Sequence, residues 1–420
     1  MLNSFKNKIS KSHFLRGVFL LAGGTALSQA IGLLAFPVLT RLYTPEAMGS
    51  LGLFLSFLGF VAVVGALRYE MAMASVDDDL VSASLFWGSL FLAIWTSLIA
   101  GLVFYLFTLK GWLGYSIFPA WMAFLIIPIS AVITWGSILR YWHVRAGRFG
   151  LISQVGLWQS AGRVLGQIGL AWLPGGTGLL TGEVIGRLLS LRQLWREIPL
   201  LPTRHQIAQA LKRYRYYPTT QLPSSFLDNL ALVALVPVFA SLFGVAVGGS
   251  LALVQRLLGA PVSLVGGAVA DSFHAELVRL KAKASGKARR LLRKTALGLF
   301  GLGLPGAFLL GWLGVPMFSL VFGEEWRQAG AMAAAMSPWA LAQLAVSPVS
   351  RLVFVADRPQ FKLLYDLSSV AIVVGVPYLG FRLGWGPVET MQFMGWLGAG
   401  SYLLYFWILD RLASDLDRGQ

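Results

Sequence analysis

The chain of 420 residues is 56% hydrophobic and only 12% charged, a composition outside that of soluble globular domains. It contains no cysteine, which excludes disulfides, thiolate metal sites and cysteine nucleophiles. Its formal charge of +16 does not argue for nucleic acid, because the basic residues cluster between apolar runs, where they read as topogenic charge beside anionic lipid.

Hydropathy over windows of about 19 residues, with about 20 apolar residues needed per span, predicts twelve helices. In chain order they cover 17–39, 49–67, 82–107, 117–139, 149–172, 175–194, 220–243, 246–269, 296–321, 329–354, 361–382 and 388–410. The first follows basic residues, as a signal peptide does, but it lacks an early small-residue cleavage site and is a full span, so a retained helix is expected. The sixth is interrupted by Glu183 and Arg187. Between the sixth and seventh, TRHQIAQALKRYRYY (203–217) reads as an amphipathic helix on the inner surface. With the even-numbered loops inside, the inner side collects about 28 of the 34 Lys and Arg, while the outer side has Arg41, Lys110, Arg327 and Arg382. That bias puts both termini in the cytoplasm. The expected architecture is an all-α polytopic membrane protein: a six-helix bundle over 1–195, a basic cytoplasmic linker over 196–219 and a second six-helix bundle over 220–420.

The halves repeat. Pro37–Gly59 aligns without a gap to Pro237–Gly259, and nine positions are identical, including Pro37/Pro237, Gly49/Gly249, Ser50/Ser250 and Gly59/Gly259. The same offset of 200 pairs Thr25 with Ser225, Ser28 with Asp228 and Gln29 with Asn229. An even number of helices per half keeps both halves in one orientation, so a parallel repeat is expected.

No HExxH, GxSxG or Walker A motif is present, and the four histidines (His13, His143, His205, His274) are widely separated. Acyl transfer, zinc chemistry and ATP hydrolysis have no visible residues to carry them, and no cofactor is expected. Polar residues inside the spans remain. A centred Arg costs about 2.5–3.5 kcal/mol on insertion scales, so such a residue faces a cavity or a partner. Arg163 in the fifth helix and Arg256 in the eighth both fall near the middle of their spans. Gln159, Gly166 and Gln167 share the face of Arg163, while Gly259, Ala260, Ser263 and Gly267 form a small-residue stripe near Arg256. Thr25, Ser28, Gln29 and Gly32 form a face on the first helix, and Ser225, Asp228 and Asn229 one on the seventh. The small and hydroxyl residues read first as interhelical packing. The two arginines read as anion ligands, since a guanidinium makes forked contacts with phosphate.

Candidate substrate-binding residues are therefore Arg163, Arg256, Gln29, Asn229, Gln159 and Gln255. Candidate gating or coupling residues are Arg68 and Glu70 in the ALRYE motif, Asp228 and Arg41. Asp228 reads equally as a counter-ion of Arg256 and as a protonatable coupling group. The pair Arg68 and Glu70 reads as an interfacial anchor with a surface ion pair or as a cytoplasmic gate.

Several segments carry a family resemblance: LAFPVLTRLYTPEAMGSLGLFLSF with ALRYEMAMA, RYRYYPTTQLPSSFLDNLAL, LALVQRLLGAPVSLVGGAVADSFHAEL and LVFGEEWRQAGAMAAAMSPWALAQLAVSPVSRLVFV. In that order they resemble Wzx-type O-antigen flippases of the multidrug/oligosaccharidyl-lipid/polysaccharide exporter superfamily. The third, fourth, eleventh and twelfth helices match only in hydropathy. The resemblance implies two six-helix bundles around a central cationic cavity. It further implies transport of an undecaprenyl-pyrophosphate-linked oligosaccharide, by alternating access, from the inner to the outer leaflet of the bacterial inner membrane. The implied partners are that lipid-linked oligosaccharide, membrane lipids, a glycan polymerase and glycosyltransferases, and a coupling ion, H+ or Na+. Nucleic acid is not among them. Twelve spans count against the lipid II flippases of the superfamily, which typically have fourteen, and central cations count against drug extruders with acidic cavities. A glycan polymerase is a weaker alternative, because every outer loop is short.

Overall fold

The computed structural model describes residues 2–195, 197–282 and 286–418, with side chains described from Leu20 onward and that of Ala282 excepted. The side chains of Lys6, Lys8, Lys11, His13 and Arg16 lie outside what is described, as do Arg196 and Lys283 altogether. Every regular element among the described residues is helical: α1 (Leu2–Leu42), α2 (Pro45–Val64), α3 (Tyr69–Ser75), α4 (Asp79–Lys110), α5 (Met122–Arg145), α6 (Phe149–Gly169), α7 (Thr177–Leu194) and α8 (Arg204–Arg213). These are followed by α9 (Leu222–Val233), α10 (Leu235–Phe243), α11 (Val245–Ala282), α12 (Ala288–Phe322), α13 (Arg327–Val346), α14 (Leu352–Val355), α15 (Gln360–Arg382) and α16 (Pro387–Arg418). Among the described residues, eight helical segments are long and apolar enough to cross a membrane, and a ninth results if the bent α9–α10 pair is one span. The protein is an all-α, multi-pass membrane protein.

Three predicted spans, those of α6, α7 and α16, fall short of that apolar threshold. For α6 and α7 the reason is visible in the packing, because each turns a polar face into an internal cavity. The predicted seventh helix is broken at Ala234, where α9 and α10 meet at 43°. Pro237 has no N–H to return to the carbonyl four residues back, at Val233, and its ring crowds that position. The predicted second helix stops early, at Val64. The ALRYE segment instead forms a turn in which Leu67 (φ 52°) and Arg68 (φ 66°) are both left-handed, a conformation disfavoured for residues with a Cβ. Several helices run on past their predicted ends, most clearly α11 to Ala282 and α12 back to Ala288.

The chain divides into two compact units: 1–43 with 53–229, and 44–52 with 230–420. One end of the first unit is closed by aromatics. Phe57, Phe104 and Tyr115 meet edge to face with centroids 5.0–6.1 Å apart, and the Tyr115 hydroxyl donates to the Leu53 carbonyl at 2.9 Å. The other end packs Tyr69, Met73, Phe86, Ile138, Leu139 and Val155 against α8 through Ala210. The capping box of Thr203 and Gln206 starts α8, whose Ile207 and Ala210 point inward while Arg204, Lys212 and Arg213 stay exposed.

In the second unit the start of α2 lies against α11, and here the repeat becomes physical. A Cβ added at Gly49 would sit 2.0 Å from the Val245 carbonyl, and one at Gly249 would sit 1.9 Å from the Pro45 carbonyl. Shifting either contact by 200 residues produces the other. One level further along, Gly52 packs on Ala252, its own counterpart. Equivalent residues thus meet at successive heights, as in two helices running parallel about a local twofold. Glycine is required because the backbones themselves touch.

Candidate functional site

Three helices of the first unit present polar residues inward. From α1 come Thr25, Ser28 and Gln29, from α6 Ser153, Gln159 and Arg163, and from α7 Arg187 and Ser190. Together with Arg140 and Ser137 of α5 they line a cavity of about 460 Å³. The α6–α7 wall is stapled by glycine: a Cβ on Gly182 would meet the Gln167 amide nitrogen at 2.5 Å, and one on Gly186 the Gln159 carbonyl at 2.6 Å. Gly32 of α1 leaves room for the Arg163 guanidinium, since a Cβ there would lie 3.1 Å from Nη2. The Ser28 hydroxyl is buried without a hydrogen-bond partner.

Glu183 of α7 organises the charges. Its Oε1 accepts from Arg187 Nη2 at 2.8 Å and Nε at 3.0 Å, one helical turn further along. Its Oε2 lies 4.0 Å from Arg163 Nη1, an ion pair too long for a hydrogen bond. The carboxylate side chain is 2% exposed, whereas the two arginines are about a quarter exposed (26% and 24%). Arg140, Arg163 and Arg187 against Glu183 leave a formal surplus of two positive charges. Polar and basic, such a cavity can substitute for the hydration of an anion.

Of the sequence-predicted residues, Arg163, Gln159 and Gln29 come together in this cavity. Arg140 and Arg187 join them there, and Glu183, not itself among the lining residues, meets Arg163 and Arg187 through its carboxylate; none of the three is among the candidate ligands above. Arg140 and Arg187 had been counted among the inner basic residues, which a linear sequence does not separate from cavity-facing ones. Arg256 is half-buried on α11 of the other unit and is not among the residues lining this cavity. The amide of Asn229 donates to the Gly59 carbonyl at 3.1 Å, and that of Gln255 to the Leu232 carbonyl at 3.3 Å. Asp228 and Arg41 are exposed. Arg68 and Glu70 do meet, Nη1 to Oε1 at 3.5 Å, but as a buried pair: Glu70 is 1% exposed, so this is no surface ion pair. Burial pushes the Glu70 carboxyl above its ordinary range, against smaller opposing pulls from its own backbone and from Arg68.

No family model and no curated protein matches the sequence. Solved structures do match the fold along nearly the whole chain. A lipid II flippase MurJ in an inward closed conformation aligns with a TM-score of 0.71 at 14% identity, over 95% of this chain and 90% of that one. An inward-facing multidrug resistance MATE family transporter of the MOP superfamily aligns at 0.66 and 13% identity, over 93% and 96%. The eukaryotic MATE transporter AtDTX14 aligns at 0.57 and 11%, over 97% and 99%. At such identities the likeness is one of fold. This chain folds as the multidrug/oligosaccharidyl-lipid/polysaccharide exporters do.

Proposed function

We propose that this protein is a flippase for a polyprenyl-diphosphate-linked glycan, carrying it by alternating access from the cytoplasmic to the outer leaflet of the bacterial inner membrane, with both termini cytoplasmic. The observation that carries this reading is the cationic cavity of the first unit, in a fold shared with a lipid II flippase. The physical task is to move a diphosphate and its sugars past about 30 Å of hydrocarbon. Arg163 and Arg140 are the diphosphate ligands, while Gln29, Gln159 and Ser28 offer hydrogen bonds to phosphate or sugar oxygens. Arg256, on α11 of the second unit, is kept as a candidate anion contact outside this cavity. Glycosyltransferases would supply the cargo and a glycan polymerase would consume it, both acting on the same lipid-linked intermediate. An ion-coupled exporter of drugs or lipids is the second reading, supported by the likeness to MATE transporters. A cavity with surplus positive charge disfavours cationic drugs.

The test is export of lipid-linked glycan in cells lacking the endogenous flippase. Arg163→Ala is expected to abolish export at near-normal protein levels, and Arg163→Lys to restore part of it, keeping the charge without the fork. Normal export by Arg163→Ala, or cation-drug resistance that survives it, overturns the reading.

A further inference from the structure

The three cavity arginines are not equivalent. Arg187 gives two short hydrogen bonds to Glu183, within the range of charge-assisted pairs, whereas Arg163 stands 4.0 Å away. Glu183 lies on the glycine-stapled wall, where α6 and α7 touch backbone to backbone at Gly182 and Gly186. Arg187, four residues further along the same helix, is the local partner of the carboxylate, while Arg163 faces it from across the α6–α7 contact. One guanidinium is neutralised by a buried carboxylate on its own helix, and Arg163 keeps hydrogen-bonding capacity for an incoming anion. We infer that Glu183 sets the charge of the cavity, matching it to a cargo with two negative charges and capping its affinity so that the cargo can leave.

The inference rests on the flippase reading and specifies the charge class of its substrate. A diphosphate esterified at both ends, by a prenyl chain and a sugar, carries two negative charges near neutral pH. A phosphate esterified at both ends carries one. The surplus of two positive charges balances the first and is left half unbalanced by the second. Without Glu183 the surplus would be three, and every anion would bind more tightly and leave more slowly. A transporter gains nothing from that, because a cargo held equally well throughout shifts no population between its states.

The experiment uses the full chain in nanodiscs, titrated with farnesyl-diphosphate-glucose and farnesyl-phosphate-glucose, alongside glycan export in cells. The wild type is expected to favour the diphosphate by about tenfold, the scale of one unit charge at partly screened distance. Glu183→Gln should tighten both probes by about tenfold and yet slow export. A merely structural loss would weaken binding and export together. The double variant Glu183→Gln with Arg187→Gln removes the matched pair and is expected to bind as the wild type does, within about threefold. If Arg163→Ala leaves diphosphate binding unchanged, the anion reading itself fails. If Arg163→Ala abolishes binding while Glu183→Gln changes neither affinity, the charge-setting role fails and the flippase reading stands. Should Glu183→Gln not accumulate, the double variant still decides, because a shift well beyond threefold in either direction overturns the matched-pair assignment.

Discussion

Two carboxylates in this molecule each face a pair of arginines, and they do so differently. Asp410 of α16 accepts from both Arg289 and Arg293 of α12, with contacts of 2.6–3.2 Å, and two turns of α16 later Asp417 caps the Ala288 and Arg289 amides at 2.7 and 3.1 Å. Both oxygens are saturated, which is the geometry of a fastener between the end of one helix and the start of another. Glu183 accepts closely from one arginine and stands off from the other. The closed cluster joins helices in the second unit, and the open one lines a cavity in the first. Saturation, rather than the residue types involved, separates a structural ion cluster from one with capacity for a ligand.

Substitution at the two clusters sharpens that difference. Arg163→Ala is expected to reduce export by orders of magnitude while the thermal midpoint in detergent moves little, because Glu183 keeps Arg187. Asp410→Ala is expected to do the reverse, lowering the midpoint by several degrees and leaving residual export in proportion to the folded fraction, since two arginines lose their acceptor together. Equal effects of both variants on the midpoint would erase the distinction. A step smaller, the repeat contact supplies a matched pair of tests. Gly49→Ala and Gly249→Ala each drive a methyl group into a carbonyl oxygen at about 2 Å, so both are expected to lower stability, and to comparable degrees because the two contacts are equivalent. A large loss from one and none from the other would contradict the reciprocal packing.

Much of this was legible in the linear sequence. Long apolar runs marked the helices, and Gly-Ser at a fixed offset marked the repeat before Gly49 and Gly249 were seen in contact. Arg163 and Gln159 were found because four residues apart on a helix means one face. Arg140 was missed because it lies toward the end of α5, where basic residues also serve to orient a membrane protein, and Arg187 because it counts in a linear reading as one more basic residue of the inner side. Glu183 registered only as an interruption. Its value depends on how it stands to two guanidiniums, one of them four residues on along its own helix and the other on α6, and the second relation is tertiary. The break at Ala234 and the turn at Leu67–Arg68 escaped because hydropathy does not register backbone direction.

The smallest effect concerns the turn after α2, where burial and ion pairing pull Glu70 in opposite directions. The residue is 1% exposed, one carboxylate oxygen lacks a hydrogen-bond partner, and Arg68 approaches only to 3.5 Å. Burial prevails, and the carboxyl titrates above its ordinary value. The folded protein then holds this proton at pH values where the unfolded chain has released it. Its contribution to stability is full below the ordinary glutamate range and is lost as pH rises through the folded-state value. The thermal midpoint of the wild type is expected to fall over that interval, and Glu70→Gln, which cannot ionise, is expected to flatten that part of the profile and lie above the wild type at neutral pH. A wild-type midpoint that instead rises with pH there, and a glutamine variant that loses the rise, would mean that the Arg68 pair outweighs burial. In that case the left-handed turn would be held by an ion pair and the profile would carry the opposite sign.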